Sequence, residues 1–342
     1  DAIRGAWRKA VTAALTVHNP WSKAALAERL RQFRPDVVHV HNFFPMLSPS
    51  IFDVCREAGT PSVMTLHNFR IMCPTSILYH DGAIRERSLK HSAMWALPRR
   101  VYRSSFLATL PLVVMVDFHK WAGTWRRKVD VFVALTEFAK AKFVEGGLAA
   151  EHIVVKGNAA ADPLAGAKVD PAPRSGALFV GRLSEEKGIA TLLSAWRGVD
   201  YPLRIAGDGP LRGMCEAAAN KHITCLGPLK RDQVSAEMRR ASFLVLPSIC
   251  YEMFPMTIVE AFANGLPVIA SDLGGLPNLL EGGAAGLTFK PMDAQDLRTK
   301  VLWAATHPEQ MAGMGRAAYS VARPTSTDEN GMRAAPLPVT SS

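Results

Sequence analysis

Short apolar runs, set between polar turns and amphipathic stretches, recur along this chain in two series. The first holds RPDVVHVHN (34–42), with a strand expected at Val37 to Val40, and PSVMTLHN (61–68), with a strand at Ser62 to Leu66. VDVFVALTEFAKAKFVEGG (129–147) then reads as a strand, Thr136 as an N-cap, and a helix stopped by Gly146. The second series is GALFVGRL (176–183), YPLRIAGDGP (201–210), HITCLGP (222–228), ASFLVLPS (241–248) and LPVIASD (266–272). β-rich runs alternating with helices of about ten residues predict βαβ units, parallel sheets and two doubly wound α/β domains. GNAAADPLAGAKVDPAPRSG (157–176) has no periodicity and is rich in Ala, Pro and Gly, which is linker chemistry. The expected organisation is a first domain over 1–160, a linker over 161–175 and a second domain over 176–320. A polar, Pro-rich disordered tail is expected over 321–342.

The most informative stretch is YEMFPMTIVEAFANGLPVIAS (251–271). Pro255 marks the start of a helical pattern that Gly265 and Pro267 close. Glu252 then precedes a helix N-terminus, and Glu260 lies just over one turn inside. Such a terminus points N–H groups and a positive dipole end at what lies before it, which suits a phosphate flanked by hydroxyls. The plainer reading is a buried amphipathic helix with two incidental acids. GRLSEEKGIATLLSAW (181–196) follows a strand directly, with Ser184 as the expected cap and Ile189, Leu192, Leu193 and Trp196 as the buried face. Arg182 and Lys187 fall at the C-terminal edge of the sheet, where open α/β sheets bind ligands. Two cations there suit a diphosphate. AGDGP (206–210) is a tight turn in which Asp208 is a further possible cap.

Composition narrows the picture. The chain has 342 residues, 48% hydrophobic and 20% charged, as expected of a globular protein with two domains. The five cysteines, at 55, 73, 215, 225 and 250, include no C-x-x-C pair, so a reducing compartment is expected. DAIRGAWRKAV opens the chain without the apolar core of a signal peptide. Net charge is +10, and residues 1–170 carry 23 Lys+Arg against 14 Asp+Glu, whereas 171–342 carry 17 against 16. No basic stripe with interleaved aromatics points to nucleic acid. FLATLPLVVMV (106–116) is too short to span a bilayer. It stands between Arg99, Arg100 and Arg103 on one side and Trp121, Trp125, Arg126, Arg127 and Lys128 on the other. That pattern suits an anionic membrane surface, and equally a core helix with a solvated basic end.

Taken together, GRLSEEKG, AGDGP, the E-x7-E pair and LPVIASDLGGLPNLL resemble the family 4, or group 1, retaining glycosyltransferases. The resemblance reaches the first half through HVHNFFPMLSPS (39–50), TLHNFRIMCP (65–74) and LTEFAKAKFVEGGL (135–148). It implies a GT-B fold, two Rossmann-like domains facing a cleft, and transfer of a sugar from a nucleotide-sugar to a saccharide or lipid-linked acceptor. It also implies residue roles. Gly181, Arg182 and Lys187 would bind the donor diphosphate, and Glu260 the ribose hydroxyls. Glu252, with Phe254, Met256 and Thr257, would bind the transferred sugar, and His67 would reach the donor sugar from the first domain. His41, Asn42, Asn68 and Arg70 would lie on the acceptor side. No metal or other cofactor is expected, because the two cations and the helix terminus stabilise the leaving diphosphate and no D-x-D pair stands ready for a divalent ion. The expected location is the cytoplasm, peripheral at the inner face of the plasma membrane.

Three departures from the family pattern stand out. The usual first strand and its Gly-rich loop are not found, so about the first 60 residues of the family's N-terminal domain are expected to be missing, which would impair transfer more than nucleotide binding. A C-x-x-C pair that relatives carry after TLHNFR is replaced, with Cys73 kept and IRERS (84–88) in the matching stretch. The aromatic helix with which relatives usually finish is absent from the tail. Two rival functions share the fold, a non-hydrolysing sugar-nucleotide epimerase and a nucleotide-sugar-binding pseudoenzyme. Donor turnover with and without acceptors separates them from a transferase.

Overall fold

A computed structural model describes residues 15–158 and 174–322. The expected linker lies outside the described residues except for Arg174 and Ser175, and the expected tail except for Val321 and Ala322. Those last two residues belong to a helix. The chain forms two compact units. One holds the described residues up to Asn158 together with Cys250–Phe254, and the other holds the rest.

The first unit begins with α1 (Pro20–Phe33), capped by the Asn19 side chain accepting from the Ser22 N–H. β1 (Val38–His41), α2 (Ile51–Glu57), β2 (Ser62–Leu66), α3 (Phe106–Trp121), β3 (Val131–Ala134), α4 (Glu137–Glu145) and β4 (Ile153–Val155) follow. The sheet order is β1-β2-β3-β4, every pair parallel. Thr136 caps α4 as expected, accepting from the Ala139 N–H at 3.1 Å. The core between sheet and helices is rich in large side chains, among them Phe52, Phe69, Phe132 and Phe143. The apolar run at 106–116 is the first part of α3, which buries Leu112, Val113, Met115 and Val116 in this core. Its opposite face is exposed. Pro111 lies inside the helix, and because it lacks an N–H it leaves the Leu107 carbonyl without a helical partner. Leu107 is on the exposed side of the helix. No described helix is long and apolar enough to cross a membrane.

The second unit contains β5 (Ala177–Val180), α5 (Ile189–Ala195), β6 (Leu203–Ala206), α6 (Arg212–Ala217), β7 (Ile223–Gly227) and α7 (Arg231–Arg240). It continues with β8 (Phe243–Leu246), α8 (Met256–Ala263), β9 (Val268–Ser271), β10 (Gly286–Phe289), α9 (Ala294–Thr306) and α10 (Pro308–Ala322). Its sheet is wholly parallel in the order β10-β9-β8-β5-β6-β7. The chain therefore starts in the middle, winds outward to β7, then returns to the far side of β5 and winds outward again. The reversal, between β5 and β8, is the topological switch point of a doubly wound sheet. The strands are apolar on both faces, as helices on both sides require, with Phe243, Leu244 and Val245 fully buried.

Two strands are not announced by the apolar pattern. β4 is a three-residue edge strand with Val154 and Val155 partly exposed. β10 begins with Gly286, a residue that argues against a strand until its surroundings are seen. A β-carbon there would lie 2.0 Å from the Val268 carbonyl oxygen of the neighbouring strand. Gly286→Ala is expected to destabilise the second unit by at least about 2 kcal/mol, since neither strand backbone can move aside without breaking the ladder. Denaturant unfolding of the two proteins checks this, and an unchanged midpoint would show that the strands separate freely.

Candidate functional site

In the second unit the expected residues gather at the C-terminal ends of β5 and β8, the two strands that flank the switch point. Gly181 and Arg182 follow β5 directly. Their backbone lies against the turn after β6, with the Leu183 N–H donating to the Asp208 carbonyl and the Leu211 N–H to the Leu183 carbonyl. Glycine is required on the β6 side. A β-carbon on Gly207 (φ 146°) would sit 1.8 Å from the Gly181 carbonyl oxygen, and one on Gly209 2.5 Å from that of Leu183. Asp208 does not cap the following helix. Its carboxylate accepts from the adjacent Gly209 N–H, and α6 has no side-chain cap.

Ser184 does not cap α5 either. Its hydroxyl donates to Glu186 at 2.6 Å. Residues Glu185–Lys187 form a single 3₁₀ turn that ends at Gly188 in the left-handed region, and α5 starts only after it. The cause is tertiary. Gly188 packs directly on the chain leaving β8, where a β-carbon would fall 1.8 Å from the Pro247 carbonyl oxygen. Lys187 is thereby held on a tight turn beside β8, half-buried, while Arg182 is exposed.

From β8 the chain reaches α8, whose N-cap is Pro255 and which has no side-chain cap hydrogen bond. Its first turn carries Met256 and Thr257, and Glu260 follows one turn on. At its end the Leu266 N–H donates to Ala261 and the Gly265 N–H to Phe262, a Schellman closure with Gly265 at φ 61°. Glu260 lines a groove of about 280 Å³ with Arg231, Ser235 and Asn264. Asn264 is buried, donates to the Glu260 carbonyl at 2.8 Å and accepts from Ser235 at 2.9 Å. Nothing in the sequence pattern marks Arg231, Ser235 or Asn264, since α7 reads as an ordinary amphipathic helix.

Glu252 and Phe254 do not group with this set. The stretch Cys250–Phe254 belongs to the first unit rather than to the expected second domain. Met253 is buried in the first core, and Tyr251 packs on Phe138 with ring centroids 4.8 Å apart. The Lys142 ammonium lies 5.9 Å from the Tyr251 ring. Burial, helped by a hydrogen bond with Glu86, pushes the Tyr251 hydroxyl up to about 12.

A second cluster stands at the C-terminal ends of β1 and β2. The strand register pairs His41 with Thr65, so His67 follows two residues beyond on the same face. His41 Nδ1 and His67 Nε2 are 2.7 Å apart. The His39 ring lies 4.1 Å from that of His41, and its Nε2 is 2.8 Å from the Thr65 hydroxyl. His39 was not among the expected site residues, although the H-x-H spacing on a strand sends both rings to one face. A pocket of about 200 Å³ beside them is lined by Asn42, Phe44, His67, Asn68 and Arg70 among others. Asn68 donates to Asn42 at 3.1 Å and accepts from the Arg70 N–H at 2.9 Å. The Arg70 guanidinium stacks over Phe44 and Tyr102, at 4.9 and 5.7 Å, and donates to the Pro74 carbonyl. Burial lowers its pKa, with Tyr102 and Cys73 opposing. The structure thus brings the five expected first-domain residues into one place. All five cysteines are free, and Cys55 and Cys215 are pushed up to about 11, chiefly by burial.

Two family profiles account for almost all of the described chain. Glycosyltransferase Family 4 matches residues 7–159, and Glycosyl transferases group 1 matches residues 171–321. The chain belongs to the family 4, group 1, glycosyltransferases. A D-rhamnosyltransferase of Pseudomonas aeruginosa is 32% identical over 145 residues, 41% of this chain and 38% of the relative. A phosphatidyl-myo-inositol mannosyltransferase of Mycobacterium leprae is 30% identical over 219 residues, 59% of this chain and 58% of the relative. An uncharacterised glycosyltransferase of Methanocaldococcus jannaschii is 36% identical over 40% of each chain. The chain thus spans between 38% and 58% of the length of these three relatives. Among solved structures, HepE of Anabaena in complex with UDP has a TM-score of 0.63 at 18% identity, covering 87% of this chain and 76% of that one. Sucrose-phosphate synthase of Thermosynechococcus elongatus has a TM-score of 0.63 at 19% identity, covering 90% and 73%. The fold is GT-B.

In the histidine cluster the surroundings of His67 disfavour its charged form. Burial, and then the neighbouring His41 and His39, lower the pKa of His67 below 6.5. Desolvation and a neighbouring imidazole both disfavour the charged form of His67. A folded-state pKa below the unfolded value contributes stability above about pH 6.5 that is lost as pH falls toward the folded pKa. His67 is expected to titrate below 6.5 by NMR, and His41→Ala to raise its midpoint while leaving it below 6.5. A midpoint at or above 6.5 in the native protein, or a downward move in the variant, would contradict this arrangement.

Proposed function

We propose that this glycosyltransferase moves a sugar from a nucleotide-sugar donor to a saccharide or lipid-linked acceptor, with retention of configuration. Its place is the synthesis of cell-surface polysaccharide or glycolipid, at the cytoplasmic face of the plasma membrane. The observation that carries the reading is the convergence of the Arg182–Lys187 turn and the side-chain-uncapped α8 terminus on one switch point. Two cations and a helix N-terminus there suit a diphosphate. That HepE has been solved with UDP and with UDP-glucose supports a nucleotide-sugar as the donor class.

Each residue then has a role. Gly181 lets the backbone approach the donor, Arg182 and Lys187 bind the diphosphate, and Glu260 takes the ribose hydroxyls. Met256 and Thr257 offer first-turn N–H groups, while Glu252 and Phe254 bind the transferred sugar. His67 hydrogen-bonds the donor sugar as a neutral imidazole, and His41, Asn42, Asn68 and Arg70 form the acceptor side. In the reaction the acceptor oxygen forms a bond to the anomeric carbon on the face from which the diphosphate leaves. The bond between that carbon and the phosphate oxygen breaks, and the acceptor proton passes to the departing phosphate. Negative charge grows on the leaving group, where Lys187, Arg182 and the helix dipole stabilise it without reorganising. No pair of carboxylates at glycosidase spacing is needed.

Lys187→Ala is expected to lower kcat by on the order of 10²–10³, the cost of losing one donor aimed at transition-state charge. A product assay with a donor library and candidate acceptors tests the reading itself, and near-native kcat in the variant would remove Lys187 from the mechanism. The two glutamates are expected to separate by ligand. Glu260→Ala should weaken the bare nucleoside diphosphate, and Glu252→Ala only the complete sugar donor. Calorimetry with both ligands distinguishes this from a shared role, in which both substitutions would weaken both.

A further inference from the structure

The outer face of α3 is a continuous apolar stripe that no described part of the protein covers. Leu107, Leu110, Val114, Phe118 and Trp121 are all exposed, Leu107 by 77% and Trp121 by 83%. At 100° per residue these five positions fall within an arc of about 80°. The stripe spans some four turns, roughly 20 Å along the helix. Helix and stripe begin at Ser105 and Phe106, just after the exposed Arg99, Arg100 and Arg103, and end just before the exposed Arg126 and Arg127. From His91 to Val129 there is a single acid, Asp117, and its carboxylate is taken up by the Ser92 hydroxyl and the Ala93 N–H. Of the remaining cations in this stretch, Lys120 is turned onto the Ser88, Leu89 and His91 carbonyls and Lys128 onto Asp53. The five arginines are therefore the charge that this face presents.

We propose that this face docks on an anionic lipid bilayer, with α3 lying in the plane of the headgroups. The apolar residues would enter the acyl boundary, Trp121 would sit at headgroup level, and the arginines at both ends would meet lipid phosphates. A second copy of this chain fits less well, because a face-to-face pair would set guanidinium groups against their own kind. A partner helix also fits less well. Asp117 stands where a continuing 3-4 seam would need an apolar residue after Val114, and Pro111 interrupts the backbone. The proposal gives a location to the lipid-linked acceptor of the reading above, and rests on that reading only for its purpose, since binding is measured without donor or acceptor.

The test is sedimentation of the full chain with vesicles of phosphatidylcholine, with and without phosphatidylglycerol. Binding is expected only with the anionic lipid at low ionic strength, and release near 1 M salt, where the screening length falls to about 3 Å. Leu107→Ser with Trp121→Ser, and separately Arg100→Gln with Arg126→Gln, are each expected to weaken binding about tenfold or more. All four positions are exposed, and an unchanged circular dichroism spectrum and thermal midpoint confirm that the variants fold. No binding at low salt, equal binding to the zwitterionic vesicles, or variants that bind as well as the native chain would overturn the proposal. So would a dimer in velocity sedimentation that the Leu107 and Trp121 substitutions dissociate. Lys187→Ala separates the two readings, because it should slow transfer by the factor given above while its vesicle binding stays native.

Discussion

The second unit is organised around backbone approaching backbone at the C-terminal edge of its sheet. At Gly207, Gly209 and Gly188 a β-carbon would fall 1.8, 2.5 and 1.8 Å from a carbonyl oxygen of a neighbouring segment. No side chain can be accommodated at such distances, so the three loops after β5, β6 and β8 meet without side-chain packing between them. Several features follow from that closeness. The Leu183 N–H reaches the Asp208 carbonyl, the Ile249 N–H reaches that of Glu186, and Lys187 is fixed on a one-turn 3₁₀ segment instead of a longer, freer helix. A loop held by backbone contacts at both ends loses little entropy on binding a ligand, which is how a site becomes organised before its substrate arrives.

Charge is placed on this framework without internal compensation from a cap. The helix that follows β8, α8, has proline at its N-cap, a residue that has no side-chain oxygen to satisfy the first-turn N–H groups. Four other helices have such a cap. Asn19, Ser105, Thr136 and Asp293 each accept from the first turn of their own helix. α2, α5 and α6 share the lack of a side-chain cap, and at α8 the cause is the proline itself. At the other end of that helix the closure is complete, with Gly265 and Leu266 satisfying the last carbonyls. The helix is thus stabilised from its C-terminus and from the burial of Ile258, Ala261 and Phe262.

Alternating apolar runs made the two parallel sheets legible because strands buried on both faces need continuous apolar sequence. β4 and β10 escaped for opposite reasons. The first is a half-exposed edge with little to bury, and the second starts with a glycine whose purpose appears only when Val268 lies beside it. The residues expected on the donor side could be singled out from the Gly, Lys and Glu spacing because that spacing is local. Ser184 does not cap α5 because a contact between Gly188 and Pro247 sets where that helix begins, and no local rule contains it. The histidine cluster was legible residue by residue and not as a group. His41 and His67 are 26 positions apart, and only the pairing of Val38 with Ser62 brings them within hydrogen-bond distance.

Glu252 and Glu260 show how eight residues can be governed by two different cores. Tyr251 and Met253 are anchored in the first unit, one against Phe138 and the other among its buried side chains. Full burial of a methionine contributes roughly 1.5–3 kcal/mol, which with the partly buried tyrosine offsets part of the entropy lost in ordering the loop. Glu252 lies between these two anchors, so its position is inherited from the first core. Glu260 lies on α8 and takes its position from the second, through Asn264 and Ser235 beside it. Nothing in the sequence between them marks a change of allegiance except Pro255, the residue that begins the helix and ends the loop. A substitution that loosens the packing of Met253 therefore disturbs Glu252 and leaves Glu260 in place, even though the residues are near neighbours in the chain. Sequence proximity and mechanical coupling are different things here, because what fixes a side chain is the core that its neighbours enter.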